Sequence, residues 1–132
     1  MNADALYGFW EMPSPSVPDT LEYMQVIPDG KMLSLGHMPP DFYPPDSWFK
    51  LWYRYRLTEK NELVICPYKG SQVEQIMTVQ WEGPDTLILH RVTQTPHEWR
   101  FKRVPWTNPP AFLEQLLEQA RRELAKWEEG QR

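Results

Sequence analysis

Cysteine is nearly missing from this 132-residue chain: Cys66 stands alone, so no disulfide can form within the chain and no thiolate cage can hold a metal. Histidine is almost as scarce. His37, His90 and His97 are the only three, none forms a pair at helical spacing, and the expectation is hydrogen-bonded side chains with no metal and no cofactor. The six glycines build no phosphate-cradling loop, and neither a Gly-x-Ser-x-Gly elbow nor a His-Glu-x-x-His helix is present. Basic charge is short as well: 14 Lys and Arg against 18 Asp and Glu leave a net charge of -4, without the cationic stripe that a nucleic-acid groove requires. No run approaches the roughly 18 apolar residues of a membrane helix. Met1 to Met12 lacks the basic start, apolar stretch and cleavage site of a secretory leader. These absences give a cytoplasmic, reducing setting as the expectation, with neither nucleic acid nor membrane as partner. The length sets a ceiling of one domain, 1–132, with enough burial for one good core.

What the chain has is a series of short, strand-like runs. Leu6 to Met12 opens it, and Leu21 to Ile27 ends in Pro28-Asp29-Gly30, where proline presets a turn and glycine accepts positive φ, so Met32 to Gly36 returns as a hairpin partner. Trp48 to Leu57 is the longest run, with Phe49, Leu51, Tyr53, Tyr55 and Leu57 alternating against Lys50, Trp52, Arg54 and Arg56. Glu62 to Cys66, Val73 to Gln80, Thr86 to Val92 and His97 to Val104 complete eight strands, 1–104, each close enough to its predecessor to pair antiparallel. Closing this meander removes its exposed edges, so the expected fold is all-β, an eight-stranded antiparallel up-and-down barrel.

After Pro105 the period changes. Asn108 as N-cap and Pro109 at the first helical position predict a helix over 111–128, with Phe112, Leu113, Leu116, Leu117, Ala120, Leu124 and Trp127 on one face. Mixed Glu and Arg opposite them point to packing outside the barrel rather than to a membrane. If Thr93 to Pro96 is a four-residue loop, His90 faces Trp99 and Ile88 faces Phe101 on the inside. Leu87 and Leu89 then point outward, and the helix is expected to cover them.

Gly8-x-Trp10 on the first strand, the eight-strand meander, Arg103 late in the last strand and the C-terminal helix resemble the lipocalin-like small barrels of the calycin superfamily. The resemblance covers most of the chain. It implies that Gly8, Trp10 and Arg103 form the structural base of the barrel, with Arg103 stacked across Trp10 in a cation–π contact. The family's usual role is transport of apolar ligands, which makes the opposite end the place to look.

Connections alternate between the two ends of a meander, so Pro13 to Thr20, His37 to Ser47, Pro67 to Gln72 and Thr93 to Pro96 share one rim. Long loops build binding mouths. The expected ligand-binding residues at that mouth are Tyr23, His37, Phe42, Tyr43, Phe49, Leu51, Tyr53, Tyr68, His90 and Trp99, with Leu35, Cys66 and His97 also facing inward. Asp41 and Asp46 read as turn residues and Cys66 as an inert core thiol. Rings either fill such a barrel or wall a cavity, and the sequence leaves both open. Three functions follow. The first is non-catalytic binding of a small apolar or aromatic molecule. The second is an inhibitor- or immunity-type module that meets a protein partner through the aromatic loop 37–48. The third is a calycin-type isomerase or decarboxylase using His90. Monomer and homodimer both remain open, the latter through the helix near Trp127.

Overall fold

The computed structural model describes residues 3–42, 44, 47–70, 72–91 and 95–131. These residues form a short 3₁₀ helix, Ala3–Leu6, then strands β1 (Gly8–Pro13), β2 (Leu21–Ile27), β3 (Lys31–His37), β4 (Trp48–Leu57), β5 (Glu62–Pro67), β6 (Gln75–Trp81), β7 (Thr86–Arg91) and β8 (His97–Val104), and the helix α1 (Ala111–Glu129). The strands make a closed barrel in sequence order. β1 seals it against β8 through Phe9–Val104, Trp10–Arg103 and Glu11–Lys102. Closure satisfies the ladder groups that an open edge would expose.

Strand alternation sorts the side chains into an interior cluster that includes Trp10, Met24, Val26, Met32, Leu63 and Leu87, and an exterior one under α1. In the exterior cluster Leu33 and Leu35 of β3 and Trp52 of β4 meet Leu113, Leu117, Ala120 and Leu124 of the helix. Trp52 Nε1 donates to the Ala120 carbonyl at 2.9 Å, and Lys50 pairs with Glu123 at 3.6 Å, so the helix is held by polar ties as well as burial. Among the described residues, no helix is long and apolar enough to cross a membrane.

Three expectations are corrected. The first strand begins at Gly8 rather than at Leu6, which instead ends the 3₁₀ turn Ala3–Leu6 and turns its carbonyl to Trp10 Nε1 at 2.9 Å. The helix begins at Ala111 with Pro110, not Asn108, as its N-cap, because Pro109 precedes another proline and is held out of the α region. Pro110 accordingly has φ -57° and ψ 153°.

The third correction is the register of β7. Arg91 pairs with His97, His90 with Glu98, Leu89 with Trp99 and Leu87 with Phe101, so the connection spans 92–96 and is one residue longer than expected. A one-residue slip turns every side chain of a strand to the other face. Leu87 and Leu89 therefore lie inside, at 0% and 3% exposure, while Ile88 and His90 are on the outer face, where Ile88 is still buried at 2%. This arrangement buries two leucines and leaves the His90 imidazole solvated, which is cheaper than dehydrating it. The helix has no part in covering them; it packs over β2, β3 and β4.

Candidate functional site

The compact turns at one end of the barrel leave it closed. Trp10 is fully buried there, the Arg103 guanidinium lies 4.3 Å from its ring centroid, and Trp81 packs at 5.8 Å on it. Arg103 also donates to the carbonyls of Tyr7 at 3.1 Å and Ala5 at 2.6 Å, and sits 3.5 Å from Asp85, so one guanidinium joins the 3₁₀ turn to the β7 side of the wall. Gly8 stands beside it with φ +120°, a conformation that side-chain-bearing residues rarely adopt.

The other end carries the long connections and opens into the interior. A cavity of about 160 Å³ inside the barrel is lined by Met24, Met32, Ser34, Tyr53, Ile65 and Met77, with Gln75, Leu89, Trp99 and Phe101 completing its wall. None of these residues carries a formal charge at neutral pH. Burial raises the Tyr53 phenol above its ordinary pKa. Its hydroxyl has no hydrogen-bond partner among the described residues, and the same holds for the Ser34 hydroxyl and the Gln75 amide. Larger hollows lie outside the barrel, along the polar face of α1 and beside Arg54 and Glu74, where charged side chains meet water.

Apart from Arg103 at the base, the charged side chains on the inner face of the described strands lie on the wall above the cavity. Arg91 shares the inner face with Leu89; its guanidinium stands 5.3 Å from the Trp99 ring centroid and its Nε donates to Thr95 O at 3.0 Å. His97 meets the same indole edge-on at 4.4 Å. Glu22 shares the inner face of β2 with Met24, and burial raises its carboxyl above the usual range. Gly36 faces it across the strand pair: a Cβ there would fall on the Phe49 ring and 2.9 Å from Glu22 Cγ, so the missing side chain is what seats the ring.

The expected mouth residues divide between the two faces. Phe49, Leu51, Tyr53 and Trp99 share the inner face, with Leu51 48% exposed at the opening. Tyr23 lies outside, stacked with Trp48 at 6.5 Å and tilted against Trp106 at 5.5 Å and Phe112 at 6.5 Å, and burial together with the Glu11 charge raises its pKa. His37 is on the same outer side, 4.0 Å from Trp48. Tyr68 packs outside against Trp127, beneath Arg54, and its hydroxyl donates to Glu128. His90 is outside, its Nε2 3.0 Å from Gln80 Oε1 and its Nδ1 3.6 Å from Glu98. Leu35 is under the helix and Cys66 is opposite Arg54 on the outer face, contrary to the inward expectation for both. Phe42 is 45% exposed in its loop, and Tyr43 lies outside the described residues.

Ser34, Gln75, Arg91 and the three methionines escaped sequence reasoning. Ser34 and the methionines were legible by alternation, since Ser34 follows Met32 at period two on one face of β3, whereas Arg91 needed the length of the 92–96 connection. No group of His, Cys, Asp and Glu that could hold a metal occurs among the described residues. Compared with models of known families the chain matches none, and a search of curated proteins finds no match.

Proposed function

We propose that this protein holds a small apolar or aromatic molecule in the open end of its barrel, as a lipocalin-like, calycin-type binder without turnover. The single observation that supports it is the 160 Å³ cavity inside the barrel, walled largely by thioether, aromatic and aliphatic side chains. A cavity of about 150 Å³ lined by apolar side chains is large enough to take benzene, so the reading favours a molecule of one ring or its aliphatic equal. The stacked Trp10 and Arg103 at the closed end support the calycin comparison, since that pairing is what the resemblance implies. The isomerase reading loses its proton-transfer group, because His90 stands on the outer wall.

The test is a titration with single-ring and short-chain apolar compounds, followed by calorimetry and by Trp99 indole shifts in NMR. Saturable one-to-one binding that Leu89→Phe abolishes, with the variant's unfolding transition intact, is the expected result. Binding that survives in Leu89→Phe, or no binding by any compound, overturns the reading.

A further inference from the structure

Three polar groups on the cavity wall have no hydrogen-bond partner among the described residues: the half-buried Ser34 and Tyr53 hydroxyls and the exposed Gln75 amide. Ser34 and Tyr53 are diagonal neighbours on the inner face of β3 and β4, since Met32 pairs with Tyr53 and Ser34 with Leu51. Gln75 pairs with Ile65 on the far side of β5, so the three groups come from strands that curve around one opening. Water satisfies them while the cavity is open. A purely apolar guest displaces that water and returns nothing, and each desolvated, unpaired group then costs about 1–3 kcal/mol.

Charge on the guest is disfavoured for a different reason. All ten lining side chains are neutral in their ordinary states, so an ionised group drawn into the cavity would lose its hydration without gaining a counter-ion. Among the described residues the inner-face cation near the rim, Arg91, is already seated on Trp99 and bonded to Thr95 O. Glu22 opposes anions at the same mouth. Met24, Met32 and Met77 present polarisable sulfur, which favours contact with a ring over an aliphatic chain.

From these features we infer that the barrel selects a neutral, single-ring aromatic molecule bearing a hydroxyl, of the phenol class, whose ring lies among the methionines and whose hydroxyl bonds to Tyr53 and Ser34. The inference rests on the binding reading above and narrows it to one chemistry. The probes are phenol, benzene, benzoate and benzylamine, four molecules with one ring and different polar character, titrated calorimetrically at pH 7.5. Phenol is expected to bind at least tenfold more tightly than benzene, and the two charged probes more weakly than either. Tyr53→Phe combined with Ser34→Ala is expected to bring phenol down to the benzene level with the variant's unfolding transition intact, and phenol binding undiminished in that folded variant overturns the hydroxyl assignment. Equal binding of phenol and benzene by the native protein overturns the hydroxyl assignment and leaves the cavity reading standing. Benzoate or benzylamine binding as tightly as phenol overturns neutrality. Failure of all four to bind removes this inference together with the reading beneath it.

Discussion

At the mouth of the barrel a missing side chain decides where an aromatic one sits. Gly36 has no Cβ, and the Phe49 ring occupies the space that a Cβ would need. Gly36→Ala is therefore expected to destabilise the fold by about 1–2 kcal/mol through overpacking, read as a shift in urea midpoint. In a Phe49→Ala background the same substitution should be nearly neutral, and a double-mutant cycle without coupling would refute the contact. Tyr55 makes a second residue-scale prediction. Its hydroxyl donates to Ile27 O at 2.7 Å, and its pKa is pushed up to about 12, first by burial and then by Tyr7 and Asp29. The folded state then keeps a proton that the unfolded chain releases near pH 10, so the stabilisation is complete below pH 10 and is lost as pH rises through 12. Urea midpoints should fall across that window, and Tyr55→Phe should flatten the fall.

The helix is the element whose seat shaped the rest of the structure. β3 is apolar on both sides, Met32 inside and Leu33 and Leu35 outside, and a strand of that kind must be covered on both faces. That pattern was readable, yet the leucines of β7 competed for the same helix until the length of the 92–96 connection turned them inward. Leu117, 1% exposed between the helix and the barrel, is the seat's centre. Leu117→Ala should cost about 3 kcal/mol by leaving a cavity there, whereas Trp52→Phe should cost about 1 kcal/mol for the hydrogen bond to Ala120. Thermal unfolding followed by circular dichroism separates the two. A Leu117→Ala effect no larger than that of Trp52→Phe would mean that the helix is only loosely docked.

Across the whole molecule, closing the sheet places the chain's first and last strands side by side, so the stability of the base depends on contacts between residues almost a hundred positions apart. Arg103 concentrates these contacts: Trp10 beneath it, the carbonyls of Ala5 and Tyr7, and Asp85. Arg103→Ala is expected to cost about 2–3 kcal/mol from the lost charged hydrogen bonds and cation–π contact. Arg103→Lys should recover only part of it, because an ammonium cannot reproduce the planar fork. Hydrogen exchange should speed up first at the amides that join β1 to β8. A uniform rise over all strands would instead indicate global destabilisation without a weakened seam.

Local chemistry determined much of this protein. Alternation along Trp48–Leu57, the turn at Pro28-Asp29-Gly30 and the three- and four-residue spacing of the helix are properties of short stretches, and each appears in the structure where those stretches required it. The contact of Trp10 with Arg103 at the base was what the resemblance implied, and the register of β1 against β8 brings the two residues opposite one another. Only the tertiary structure decided the site. The parity of one connection turned His90 out and Arg91 in, the choice of β2–β4 as the helix's seat drew Tyr23, His37 and Tyr68 to the outer wall, and the space left over after packing became the cavity. Such space is the difference between the volume a closed barrel encloses and the volume its side chains fill, a quantity that no stretch of sequence carries by itself.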